Sequence, residues 1–227
     1  MENKYKPSVI IIGLGNIGMA YDLDTKKILT HAKSFEKSKN FKLIGGVDFK
    51  KKLRTSFEEN YKCKTFKKIK DAMNELNPDI VVISTSSSQH FKSIKEVFTY
   101  RTPKVIVCEK PLALNLRDSE KIVEICKKKS CFLYVNYFRR VEPGFLKIYS
   151  LIKKNQIKTP FQGYCYYSKG IYNTASHFIN IFEFYFGRVK KINIIKRNKI
   201  LSDPTPDFKL QFKDGNIIFI SNKNKNL

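Results

Sequence analysis

The chain has 227 residues, more than the roughly 100–150 of an average domain, so two modest hydrophobic cores are expected. Hydrophobic residues make up 42% and aromatics 13%, which excludes an intrinsically disordered chain. No apolar run approaches the roughly 18 residues of a bilayer span, and the first seven residues are too polar and short for a signal peptide, so the expectation is a cytoplasmic protein with no membrane partner.

The net charge of +24 taken alone suggests a nucleic-acid or anionic-surface partner. Its composition argues otherwise. Of the 44 basic residues 37 are Lys and seven Arg, whereas specific recognition of phosphates and bases favours the bidentate Arg fork. The lysines are scattered in twos and threes, as at Lys50, Lys51 and Lys52 or Lys153 and Lys154. A solvated surface with no specific nucleic-acid partner is expected, whose positive field would draw small anionic ligands such as dinucleotides or nucleotide-sugars. The five cysteines (Cys63, Cys108, Cys126, Cys131 and Cys165) are odd in number, lack close pairing, and several lie in apolar runs. They are expected as reduced core thiols, with neither a metal site nor a disulfide.

In chain order, apolar strand-like runs at 8–12, 41–47, 79–84, 104–108 and 131–136 alternate with helical patterns at 31–39, 50–60, 69–76, 88–100 and 115–129. Such alternation marks βαβ units on a parallel sheet. Residues 139–144 and a helical stretch to about 155 read as a crossing between domains. Beyond it lie strand-like segments at 161–168, 189–196, 208–212 and 217–220, the last two joined around Asp214-Gly215, with an aromatic-rich helix at 176–186. The expected architecture is α/β over 1–138, then a shortened α+β domain over 139–227 with a mostly antiparallel sheet.

The first motif, Gly13-Leu14-Gly15-Asn16-Ile17-Gly18, directly follows the first strand. Gly13 permits the tight turn, Gly15 the approach of a pyrophosphate and Gly18 close helix packing, with Asn16 and Ile17 in the phosphate-facing turn. The second strand ends at Asp48, where a carboxylate would accept from ribose hydroxyls and favour NAD by repelling a 2′-phosphate. Lys50, Lys51, Lys52 and Arg54 nearby would offset that repulsion, which leaves NADP open as cofactor. The spacing from Gly18 to Asp48 exceeds the usual 20 or so residues, so 19–30 must contain an inserted loop.

Two further clusters follow strands: Ser84-Thr85-Ser86 with His90, then Cys108-Glu109-Lys110-Pro111-Leu112-Ala113. Both fall at the carboxyl ends of predicted parallel strands, where open α/β sheets place ligands. With Arg140-Val141-Glu142-Pro143 after them, these motifs and their order resemble the Gfo/Idh/MocA family of sugar and cyclitol dehydrogenases, from about residue 9 to residue 220.

The resemblance implies a Rossmann-type first domain and a second, substrate domain, here shortened, whose sheet face pairs with another copy of the chain. It implies NAD(P)-dependent hydride transfer at a secondary alcohol of a sugar-like small molecule. Thr85, Ser86, His90 and Glu109 would then line the cofactor, with Lys110 moving the hydroxyl proton. A lysine held near a cationic nicotinamide and partly desolvated has a lowered pKa, which suits that task.

The family's D-x-G-x-H-x-x-D segment corresponds to Asn173-Thr174-Ala175-Ser176-His177-Phe178-Ile179-Asn180. His177 matches the assisting acid-base position. Asn173 keeps hydrogen bonding but has lost the charge, and Tyr137, Arg140 and Tyr172 are further substrate-contact candidates. The amides at 173 and 180 leave an alternative, a catalytically impaired dinucleotide-binding protein acting as a sensor or binding module.

Overall fold

The computed structural model describes residues 5–197 and 203–222. The chain divides between Asn136 and Tyr137 into two compact units, each taken separately below.

In the first unit the strands are β1 (Ser8–Ile12), β2 (Lys42–Val47), β3 (Lys64–Phe66), β4 (Ile80–Ile83), β5 (Val105–Cys108) and β6 (Phe132–Val135). The helices between them are α1 (His31–Lys37), α2 (Lys51–Tyr61), α3 (Ile69–Leu76), α4 (His90–Tyr100) and α5 (Leu116–Lys128). All strand pairings are parallel, in the order β3-β2-β1-β4-β5-β6. The order runs one way from β1 through β3 and the other way from β4 through β6.

Two cores result, one on each face of the sheet. Val9, Ile11 and Val82 pack with Ala32 of α1 and Phe57 of α2, while Ile10, Ile12, Val81 and Ile83 pack with residues of α3, α4 and α5. A strand covered on both faces needs an unbroken apolar run, which is why β1 and β4 carry Val and Ile without alternation. Each such side chain contributes about 1.5–3 kcal/mol by burial.

The expected elements appear within one or two residues, except β3, whose three residues carry no pattern of their own. The expected insertion is a looped-out excursion. His31 N–H donates to Ile17 O at 3.1 Å and Ala32 N–H to Gly18 O at 3.0 Å, so helical bonding resumes across the gap. Buried Asp22 closes this loop by accepting from Leu29 N–H (2.6 Å), Thr30 N–H (2.8 Å) and the Thr30 hydroxyl (2.8 Å). Thr30 in turn caps α1.

The second unit contains α6 (Pro143–Lys153), β7 (Phe161–Tyr167), a π-helical turn (Ile171–Ala175), α7 (Ser176–Phe186), β8 (Lys191–Lys196), β9 (Asp207–Phe212) and β10 (Gly215–Ser221). Its sheet order is β7-β10-β9-β8. The sheet is mixed rather than wholly antiparallel, because β10 pairs with β7 in parallel. The hairpin turn consists of Lys213 and Asp214, with Gly215 already paired to Phe212.

Alternate residues of β9 (Phe208, Leu210, Phe212) and β10 (Ile217, Phe219) face one core together with Cys165, Tyr167 and Ala175. The Phe208 and Phe219 rings stack at 4.5 Å. Tyr164 and Tyr166 of β7 stand exposed. The five cysteines are all free thiols; four are buried, while Cys63 is half-buried. Among the described residues no helix is long and apolar enough to cross a membrane.

Candidate functional site

The point where the strand order reverses, between β1 and β4, is where the loops at the strands' carboxyl ends part and leave a crevice. A cleft of about 610 Å³ lies there, lined by Gly13, Gly15, Asp48, Thr85, Ser86 and residues of the neighbouring loops and helices. The volume is that of an ordinary small-molecule site.

Each glycine of the first motif has a distinct steric reason. Gly13 lies at φ +95°, and a Cβ there would meet Ser84 C and Thr85 N at 2.7 Å, so β1 and β4 could not approach. A Cβ on Gly18 would stand 2.1 Å from Gly13 O. At Gly15 it would meet no protein atom within 4 Å, so the space above Gly15 is free for a ligand. Ser84 fastens the same corner by donating its hydroxyl to Gly13 O at 2.8 Å. Asn16 is exposed and Ile17 half-buried beside it.

Asp48 faces the glycine turn directly. Its Oδ2 accepts from Leu14 N–H at 2.9 Å and its Oδ1 from Lys50 N–H at 2.8 Å. One lone pair per oxygen is left for a ribose. Arg54 donates from its guanidinium to the carbonyl oxygens of Asp48 (2.9 Å) and Phe49 (3.1 Å), which holds its positive charge beside that turn.

Sequence reasoning missed Phe49, Lys67, Lys68, Gln89 and Lys92 in the cleft wall. Only Phe49, directly after Asp48 in the chain, had a positional cue that could have revealed it; its 73% exposure comes from the fold. Thr85 lines the cleft, and its hydroxyl oxygen is buried without a hydrogen-bond partner. A nucleotide's phosphate or ribose oxygens would satisfy that hydroxyl, so the residues present fit a dinucleotide.

His90 is buried and turned to the backbone rather than to open space. Its Nε2 lies 3.1 Å from Thr85 O, and its Nδ1 lies 3.0 Å from Pro111 O and 3.3 Å from Leu112 O. The imidazole thereby ties the cleft wall to the loop that carries Lys110.

In that loop Glu109 is buried, and its Oε1 accepts from Asn136 Nδ2 at 2.7 Å and meets His31 Nε2 at 2.8 Å. Burial opposes ionisation of Glu109, but hydrogen bonds from His31 and Asn136 and the nearby His31 outweigh it and hold the carboxyl below its ordinary range. Lys110, half-buried, is thus joined to a carboxylate fixed on three sides, with its own N–H 3.3 Å from Glu109 Oε2.

Within the second unit, His177 is buried, with the rings of Tyr137 and Phe138 edge-on to it at 5.8 and 5.4 Å. Burial pushes the Tyr137 phenol up, while a hydrogen bond with Ser176 acts the other way. The Arg140 guanidinium lies over the Phe184 ring at 4.7 Å. Asn173 is exposed, and a carboxylate stands beside it: Asp203 accepts from Asn173 N–H at 2.9 Å and Tyr172 N–H at 2.8 Å.

The chain is 26% identical over 151 residues to myo-inositol 2-dehydrogenase of Thermotoga maritima, covering 66% of this chain and 42% of that protein. It is 29% identical over 102 residues to D-xylose 1-dehydrogenase (NADP(+)) of Hypocrea jecorina, covering 45% and 26%. The matched stretches thus span less than half the length of these relatives. The WlbA dehydrogenase of Bordetella pertussis, solved with NADH and UDP-GlcNAcA, superposes with a TM-score of 0.81 at 17% identity, covering 99% of this chain and 70% of that one. Residues 8–137 match the model of the Gfo/Idh/MocA oxidoreductase family, NAD-binding Rossmann fold, and with more than half of its length matched the chain belongs to that family.

Proposed function

We propose that the protein is an NAD(P)-dependent oxidoreductase that moves a hydride between a secondary alcohol of a sugar, nucleotide-sugar or cyclitol and the nicotinamide ring. The observation that carries this reading is the cleft at the strand-order reversal, open above Gly15 and tied through His90 to the loop of Lys110. The names of the relatives, inositol and xylose dehydrogenases, support the substrate class.

Gly13, Gly15 and Gly18, with the turn at Asn16 and Ile17, receive the pyrophosphate, and Asp48 the adenosine ribose. Thr85 and Ser86 contact the dinucleotide further along the cleft, and Glu109 fixes its far end. When bound, the cofactor supplies hydride acceptance and donation at C4 of its ring. Lys110 takes the hydroxyl proton during oxidation and returns it during reduction, through its Nζ. His177 is assigned as the assisting acid-base group, with Asn173, Tyr137, Arg140 and Tyr172 as substrate contacts, on the resemblance of their segments. Self-association through the second unit's sheet would bury the exposed Tyr164 and Tyr166, and sedimentation of the full chain tests it.

Fluorescence titration with NADH and NADPH, followed by a screen of inositols, aldoses and nucleotide-sugars at the nicotinamide absorbance band, tests the proposal. Failure to bind either dinucleotide would refute it. A second reading, a dinucleotide-binding module without turnover, is favoured by the uncharged amides at Asn173 and Asn180. Tight NADH binding with silence across the screen would establish it instead.

A further inference from the structure

The cleft wall away from the glycine turn carries more basic than acidic side chains. Lys50 at the start of α2, Lys67 and Lys68 leaving β3, and Lys92 on α4 all line it, and only Asp48 and Glu96 oppose them. Lys67 follows Phe66, whose carbonyl accepts the Asp48 N–H at 3.1 Å, so the end of β3 is hydrogen-bonded to the position that selects the ribose.

A carboxylate at the end of the second strand ordinarily rejects a 2′-phosphate. Here both oxygens of Asp48 are already engaged by the backbone N–H groups of Leu14 and Lys50, which turn the carboxylate toward the glycine loop. Lysines 67 and 68, adjacent in sequence and exposed, have no ion-pair partner among the described salt bridges, so a dianion arriving there displaces no existing pair.

We infer that Lys67 and Lys68, with Lys50, receive the 2′-phosphate of NADP, so that this chain binds NADPH about as tightly as NADH despite Asp48. The inference rests on the dinucleotide reading above and names the residues that set the cofactor preference of the same cleft.

The full chain is titrated with NADH and with NADPH by fluorescence, at low and at physiological salt. Dissociation constants within about tenfold of each other are expected, with the NADPH affinity falling more steeply as salt rises, because the additional contacts are exposed ion pairs. The exposed double change Lys67→Ala and Lys68→Ala is expected to weaken NADPH by about tenfold or more and NADH by less than about twofold. A hundredfold preference of the unchanged chain for NADH, parallel salt dependence of the two, or equal loss of both in the double variant would overturn the assignment. Binding of neither dinucleotide would overturn the functional reading itself and this inference with it.

Discussion

Replacing Gly15 by valine separates the fold of the first unit from its ligand. A Cβ at this position meets no protein atom beyond its chain neighbours within 4 Å, and Gly15 does not sit at positive φ, so the unbound chain has open space where a side chain would start. The stability of the Gly15→Val variant should therefore stay within about 1 kcal/mol of the unchanged chain, since loss of glycine's freedom in the unfolded chain offsets much of any local strain. The same side chain occupies the space left for a pyrophosphate, and NADH affinity should fall by at least about a hundredfold, or about 2.7 kcal/mol.

Gly18→Ala is the internal control, because its Cβ would stand 2.1 Å from Gly13 O and backbone would have to move. That variant should lose about 3 kcal/mol and melt about 10 °C lower. Thermal melts paired with NADH fluorescence titration measure both effects. A folded Gly15→Val chain with unchanged NADH affinity would refute the placement of the pyrophosphate, and a Gly15→Val chain that unfolds would refute the steric argument.

Lys110→Ala should lower turnover of any substrate found in the screen by about 10²–10⁴-fold and leave NADH affinity nearly intact, since proton transfer and cofactor binding fall to different residues; a comparable loss of NADH affinity would count against the assignment. Asn173→Asp adds a carboxylate next to the one from Asp203, and kcat measured against pH decides between its outcomes: a large gain marks the natural amide as the cause of an impaired site, and a loss marks a site tuned to the amide. Asp22→Ala leaves three donors of the inserted loop without their acceptor and should cost about 2–4 kcal/mol by denaturant melt. The pH dependence of that contribution follows from Asp22's carboxyl, which burial would raise but the N–H groups of Leu29 and Thr30, the Thr30 hydroxyl and Lys33 hold below its ordinary value of 3.8. With the folded value depressed, the stabilisation is fully present above about pH 4 and lost as pH falls through the folded value. Equal acid sensitivity of the Asp22→Ala variant and the unchanged chain would contradict this.

The local code of the chain was readable wherever a segment is long enough to carry a period. The unbroken Val/Ile runs of β1 and β4 identified buried parallel strands, the boundaries of α3 and α7 followed from their apolar spacing, and the glycine spacing identified the tight turn after β1. Gly18 and Asp48 are so far apart in sequence that an insertion between them was evident too, because the strand after a glycine turn has a fixed distance to cover. What tertiary structure alone decided lies in pairings between distant segments. The three residues of β3 become a strand only because β2 offers them an edge, and the parallel pairing of β10 with β7 has no trace in either strand's own alternation. The Glu109 cluster draws His31 from α1 and Asn136 from the end of β6, and the cleft lysines come from three separate stretches. Side-chain spacing along a strand or helix reports which face is buried, but not which neighbour covers it; that choice is made by the strand order β3-β2-β1-β4-β5-β6, which brings residues 48, 67 and 92 to the rim of one cleft.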